Sequence, residues 1–272
     1  MTTYTPPAIW DYESVKAKAG GKFGGTNRPT AGATHEQTLP IGDAPYQLYS
    51  LNTPNGIKVN ILLEELKSLG KITSYDAYKI NIMNGDQFGS DFVKINPNSK
   101  IPALLDCSVT PAIPVFESGA ILLYLAEKHQ AFIPSEPRDK AELYSWLMWQ
   151  MGSAPFVGGG FGHFYAYAPY PMEYPINRYA METKRQLDVL NKHLADRVYI
   201  MSDEYSIADM AIYPWYGRLC LGELYVGEHY DAAKFLAVHE YTHIIRWAKM
   251  MATKPTVQAA QSLVLQELAT DA

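Results

Sequence analysis

Apolar and polar positions first form a regular pattern at Tyr46. Tyr46-Gln47-Leu48-Tyr49-Ser50-Leu51 alternates in the manner of a strand, and Thr53-Pro54-Asn55-Gly56 interrupts it. Val59, Leu62, Leu63, Leu66 and Leu69 then recur at helical spacing and stop at Gly70, predicting a helix. A second extended stretch follows over 75–82, then a polar, glycine-containing segment over 84–90. Ile101-Pro102-Ala103-Leu104-Leu105 and Ile113-Pro114-Val115-Phe116 read as two short strands, and Glu117-Ser118-Gly119 opens a helix that runs to Lys128. The predicted order is β-α-β-(short α)-β-β-α, with a parallel crossover early and an antiparallel hairpin late.

That order suits a thioredoxin-like α+β domain over 45–130. Beyond Pro134-Ser135-Glu136-Pro137 the strand signals fade, and helical patterns predict an all-α domain over 138–253, with 254–272 as a tail. Within it, Ser206 and Asp209 have the spacing of a capping box, flanked by Tyr205 and Met210 as a hydrophobic staple. Residues 1–44 carry Gly20-Gly21, Gly24-Gly25 and few aliphatics, and read as an irregular extension. Its Trp10, Tyr12 and Phe23 imply that it docks on another part of the protein.

Composition narrows the class of partner. The 272 residues are 47% apolar and 19% charged, which fits a folded globular chain of about two domains. The net charge is -5, and no Lys/Arg block exceeds two residues, so neither nucleic acid nor an anionic membrane is the expected partner. Apolar runs such as 120–126 are far too short to span a bilayer, and the first residues lack the pattern of a secretory leader. Cys107 and Cys220 do not amount to a disulfide scaffold. These features together predict a cytoplasmic protein.

The turn at Thr53 is the first candidate for chemistry. A helix start carries unpaired N–H groups and a partial positive charge, so a ligand thiolate would be stabilised there, with Thr53 and Asn55 adding neutral donors. Thr53 as a simple cap, with Pro54 in the first turn, explains the same residues. His239-Glu240-Tyr241-Thr242-His243 matches a zinc signature, with Glu267 a conceivable third ligand, but the family resemblance described below implies that a late helix starts at Tyr241, which leaves His239 before or at the helix start, where the required spacing fails. No metal is therefore expected. Gly158 to Gly162 lacks the strand and the Lys-Ser/Thr of a phosphate loop, and reads as close helix packing or a pocket wall. Asp209 is a structural cap in this reading, and both cysteines are small apolar residues.

Two further stretches carry a resemblance. Asn96-Pro97-Asn98-Ser99-Lys100-Ile101-Pro102-Ala103-Leu104 and, one hairpin later, Phe116-Glu117-Ser118-Gly119-Ala120-Ile121 resemble the glutathione transferase family. Thr53-Pro54-Asn55-Gly56, Gly85-Asp86-Gln87-Phe88, the run 158–164, Ile176-Asn177-Arg178 and Asn27-Arg28-Pro29 look like its Nu class, which includes bacterial glutathione-dependent disulfide-bond reductases and shares part of its pattern with fungal nitrogen regulators. The resemblance covers nearly the whole chain.

It implies a cis Ile101-Pro102 bond and a homodimer. It also implies glutathione as co-substrate, two molecules or one glutathione disulfide per subunit. Thr53 and Asn55 would flank the reactive sulfur, and Pro54, Gln87, Ile101, Glu117 and Ser118 would hold the first glutathione. Ser118 and the helix start suit its carboxylate and Glu117 its ammonium. Asn27 and Arg178 match positions for the second glutathione, while Gln150, Tyr165, Tyr167 and Tyr174 are open candidates for the same molecule. The activity this implies is glutathione-dependent disulfide reduction. Conjugation of glutathione to an electrophile, or glutathione binding with little turnover in a regulatory protein, are the alternatives.

Overall fold

The computed structural model describes residues 4–16 and 21–268. Its sheet has four strands, β1 (Tyr46–Ser50), β2 (Asp76–Lys79), β3 (Ala103–Asp106) and β4 (Ile113–Phe116), in the order β2-β1-β3-β4. β1 pairs parallel to β2, while β1 with β3 and β3 with β4 are antiparallel, as the predicted crossover and hairpin require. Helices α2 (Pro54–Ser68) and α4 (Ser118–His129) pack on one face and α3 (Ser90–Ile95) on the other.

β1 does not alternate in exposure: all five of its residues are buried, because both faces of the sheet are covered. Gln47 pays for its burial through bonds to Ala44, Gly42 and Asp76. Gly56 must be glycine, since a Cβ there would stand 2.0 Å from the Leu51 carbonyl. The turn into α2 can therefore close tightly.

The helical half contains α5 (Pro137–Pro155), α6 (Glu173–His193), α7 (Ile207–Ile212), the three-residue α8 (Arg218–Cys220), α9 (Ala232–Phe235), α10 (Thr242–Ala252) and α11 (Pro255–Gln261). Pro155 has no N–H to continue the ladder of α5, and the chain runs on from it as a wide π-type helix over Phe156–Tyr167. A second π turn, Tyr213–Gly217, follows α7. No helix among the described residues is long and apolar enough to cross a membrane.

One continuous core joins the halves: Leu48, Leu62 and Leu122 belong to the same cluster as Leu147, Leu187 and Trp247. The capping box forms at α7, and fully buried Asp209 also accepts from Ile200 N at 2.9 Å and Trp247 Nε1 at 2.9 Å. Asp209 is thus a polar knot within the core.

Both ends of the chain are more engaged than their composition implies. Among its described residues the extension forms a single turn, α1 (Tyr12–Val15), and a short 3-10 stretch at Gly21–Thr26. It pairs at His35 with Gly89, sends Leu39 into the second core cluster, and sets Phe23 edge-on to Tyr167 at 4.9 Å. Trp10 and Tyr12 only stack on each other. The segment expected to be a tail forms α11, which packs on α2, and then Gln266 bridges to Tyr78 on β2. Asn60 Nδ2, donating to Ala260 O at 3.2 Å, shows why: a buried amide in α2 has its acceptor there.

Candidate glutathione site

A cavity of about 690 Å³ opens where the sheet half, the helical half and the N-terminal extension meet. Its floor is the start of α2. Thr53 caps that helix, its hydroxyl oxygen accepting from Gly56 N at 3.4 Å, which leaves the hydroxyl hydrogen free to donate outward. Capping and ligand stabilisation therefore do not exclude each other here. Trp215, from the second π turn, donates its indole N–H to Asn55 Oδ1 at 2.8 Å. An indole can only donate, so it engages the amide oxygen and leaves the Asn55 NH₂ as the unengaged end.

The Ile101-Pro102 bond is cis, as is Thr110-Pro111. Asn96 templates the loop before it, accepting from Asn98 N and donating to the Lys100 carbonyl at 2.5 Å. This places Ile101 on the cavity wall. Gln87 lies beside it, with its amide nitrogen bonded to the Ile82 carbonyl and its buried Oε1 without a partner among the described residues. An acceptor left unpaired at a cavity wall is matched by a ligand N–H.

At the far end, Glu117 holds φ at 68°, a left-handed conformation that costs a non-glycine residue energy and is found at functional turns. It aims the start of α4 at the cavity, where Glu117 and Ser118 both line the wall. Behind Ser118 lies Lys58, 1% exposed, whose ammonium nitrogen is 3.3 Å from Ser118 Oγ and 2.7 Å from Gln150 Oε1. Burial lowers the Lys58 pKa to about 7, against an upward pull from Glu117.

The opposite wall is aromatic. Gly158 and Gly159 lie on it, and a Cβ at Gly158 would stand 2.6 Å from the Trp215 ring. The glycine run thus serves both close packing and the pocket wall. Tyr167 lines the cavity with its phenol pKa raised by burial, and Phe23 and Thr26 of the extension close that side.

Of the residues expected from sequence, Thr53, Pro54, Asn55, Gln87, Ile101, Glu117 and Ser118 come together in this cavity. Asn27 sits at the rim, its side-chain oxygen bonded to the Lys100 ammonium; Lys100 itself lines the cavity. Arg178 is not brought in: it is exposed on α6 and outside the lining, and its positive field acts on Glu182. Tyr165 is committed to the Asp231 backbone, and Tyr174 is 80% exposed. Gln150 reaches the site only through Lys58, with Met151 taking the place on the wall. His239 lies in a 3-10 turn ahead of α10, and Glu267 pairs with Lys79 at 2.6 Å. No metal-binding group occurs among the described residues.

Sequence reasoning missed Lys58, Lys100 and Trp215. Lys58 did leave a trace, because Lys58, Ile61, Leu62 and Glu65 share a face of α2 and all are buried. Trp215 left none, as its partner is 160 positions away.

Comparison with known proteins agrees with this geometry. The family model for the glutathione S-transferase N-terminal domain matches residues 44–127, and one for the nuclear-export cofactor Arc1p matches 177–255. The chain is 54% identical, over 94% of its length and 86% of the relative's, to the disulfide-bond oxidoreductase YghU of Escherichia coli K12. A crystal structure of glutathione transferase YghU from Streptococcus pneumoniae, complexed with glutathione, superposes with a TM-score of 0.93 at 56% identity, covering 98% of this chain and 100% of the other. A glutathione transferase from Pseudomonas putida with one glutathione disulfide per subunit gives a TM-score of 0.72 at 38% identity, covering 81% and 92%. On the sheet topology, the cis-proline loop and this likeness over nearly its whole length, the chain belongs to the glutathione transferase family.

Proposed function

We propose that the protein uses glutathione to reduce disulfides of small molecules. The observation that carries this reading is the pair of free donors at the start of α2, the Thr53 hydroxyl and the Asn55 amide, with no cysteine beside them. They suit a thiolate that arrives on a ligand. A first glutathione would lie from Ile101 and Gln87 at its cysteinyl part to Glu117 and Ser118 at its γ-glutamyl end, with Pro54 shaping the turn between. Its thiolate attacks the disulfide, giving a mixed disulfide and one released thiolate. A second glutathione thiolate attacks that mixed disulfide, giving glutathione disulfide and the second substrate thiolate. Two electrons pass from two glutathiones to one disulfide, and the released thiolates take up the protons that the glutathione thiols gave up.

The aromatic side of the cavity, between Lys100 with Asn27 and Tyr167, has the room and the charge for the second glutathione. Arg178 lies outside this lining and in none of the ion pairs of the described residues, so it would serve the second glutathione only through a carboxylate that reaches beyond the cavity wall. The Nu class, a homodimer, a cytoplasmic location and the division at 1–44, 45–130 and 138–253 complete the reading. Two cysteines, both free, fit a reducing compartment.

The test is product analysis with glutathione and either bis(2-hydroxyethyl) disulfide or an aryl halide. Glutathione disulfide formed at a far higher kcat/KM than the thioether is the expected result. Dominant thioether formation would replace this reading with conjugation, and tight glutathione binding without turnover on either substrate would replace it with a regulatory role.

A further inference from the structure

Lys58 is an ionisable group with no apparent need to be where it is. It stands just past the first turn of α2, 1% exposed, and among the described residues its side-chain nitrogen bonds only the Ser118 hydroxyl and the Gln150 amide oxygen, two neutral groups. A structural lysine at such a depth has a carboxylate partner, because an isolated buried ammonium is unfavourable by several kcal/mol. Gln150 adds a second oddity: it is wholly buried in α5 and its Nε2 has no partner among the described residues. Lys58 nevertheless counts among the residues lining the cavity, and its nitrogen is 3.3 Å from the hydroxyl of Ser118, which lines it too.

We propose that Lys58 is the buried counter-charge for the α-carboxylate of a glutathione at Ser118, and that its ammonium forms by proton uptake as that carboxylate arrives. The inference rests on the proposed glutathione site and goes beyond it by assigning a charge to a group that otherwise has only hydroxyl and N–H partners. The zwitterion of the γ-glutamyl end then meets a matching pair, Glu117 for its ammonium and Lys58 with Ser118 for its carboxylate. A peptide lacking that free carboxylate would leave Lys58 unpaired, so the arrangement selects for the γ-glutamyl link, in which the α-carboxylate is free.

On α2 itself, Glu65 of the same buried face accepts from the Thr256 hydroxyl, and the other surroundings of Lys58 supply no further charge for this purpose. From α4 it faces Glu117, which raises its proton affinity, while burial lowers it to about 7. From α5 come Gln150 and Met151, both uncharged. On α7, Asp209 is occupied by Ile200, Ser206 and Trp247. Tyr213 and Tyr216 of the second π turn have their phenol pKa values raised by burial and stay neutral, and α11 carries no ionisable side chain.

Calorimetric titration with S-methylglutathione at pH 8, in buffers of different ionisation enthalpy, tests this directly, because the blocked sulfur has no proton of its own to release. The parent should take up about half to one proton per ligand bound. Lys58→Met should take up none and bind about 10- to 100-fold more weakly. Parent binding without proton uptake would overturn the inference and leave the glutathione site standing, as would uptake that persists in Lys58→Met. Failure of the parent to bind S-methylglutathione would remove the site and this inference together. Should Lys58→Met not fold, the parent's proton count decides alone, and Lys58→Gln supplies the uncharged control.

Discussion

Trp215 and Asn55 are joined by a 2.8 Å hydrogen bond that crosses from the helical half to the start of α2. The bond determines which end of the Asn55 amide is left for a ligand. Without it the amide can turn over and present an acceptor to a thiolate, which repels it. Trp215→Phe keeps most of the ring packing and removes the donor, so disulfide turnover should fall about fivefold or more, the worth of one neutral hydrogen bond, with the melting temperature little changed. Steady-state kinetics beside a thermal melt check both. Unaltered turnover would deny Asn55 its place at the sulfur.

Thr53 has two roles that substitution separates. Thr53→Ser keeps a hydroxyl that both caps and donates, and should retain most stability and activity. Thr53→Ala should cost about 1 kcal/mol in chemical denaturation through the lost cap. Combined with Asn55→Ala it should lower turnover about 10²- to 10³-fold, by analogy with donors to a developing oxyanion. A double variant that still reduces disulfides at the parental rate would move the chemistry elsewhere.

Asp209→Ala leaves Ile200 N, Ser206 N and the Trp247 indole without their buried acceptor. Stability should drop by roughly 2–5 kcal/mol, more than a cap alone accounts for. Activity per folded molecule should stay unchanged, which kinetics normalised to the folded fraction would report. Lost activity at full stability would make Asp209 part of the site.

Lys58 makes stability depend on pH in the ligand-free protein. Its folded pKa, about 7, lies below the unfolded value of 10.5, so between these the unfolded chain binds more protons. Stability from this group therefore rises as pH increases from about 7 towards 10, by at most about 1.4 kcal/mol per pH unit. Urea unfolding of the parent against Lys58→Met across pH 7 to 9 should show that slope in the parent alone. Parallel profiles would mean that Lys58 keeps its proton when buried.

Arg178 gives the sharpest test of the second glutathione. If a carboxylate of that molecule is its partner, Arg178→Ala should weaken the second binding event about 10- to 100-fold and spare the first. Two-site calorimetry resolves the events. Equal loss at both, or none at either, would leave Lys100 as the cation of that subsite.

The parts of this fold that could be read in the sequence are those with short-range causes. The start of α2 was legible because Pro54 and Gly56 punctuate it locally, and the α7 cap because Ser206 and Asp209 stand three apart. The Gln87, Ile101, Glu117 and Ser118 constellation was legible only through family resemblance, since nothing in the composition brings Gln87 and Ser118 to one cavity. Lys58, Lys100 and Trp215 were hidden because their roles arise from distant partners. The alternation along β1 does not translate into one exposed face, because both faces of the sheet are covered. Leu39 from the extension and Phe92 from α3 belong to the cluster that covers it. The helix within 254–272 had no local signal for a similar reason, as an acceptor for the buried Asn60 amide of α2 lies 200 positions further on.

That last segment bears on how the molecule keeps to itself. β2 ends the sheet on one side, and a bare strand there would present a row of donors and acceptors to any other chain. Gln266 occupies part of that row, its N–H on the Ala77 carbonyl at 2.9 Å and its own carbonyl on Lys79 N at 2.7 Å, with Lys79 and Glu267 paired alongside. Gln266 acts as a stopper for a surface laid down almost two hundred residues earlier. Until it is synthesised, the edge of β2 is open to strand addition by a neighbouring nascent or partly folded copy, so protection of this edge from aggregation comes long after the edge itself has been made.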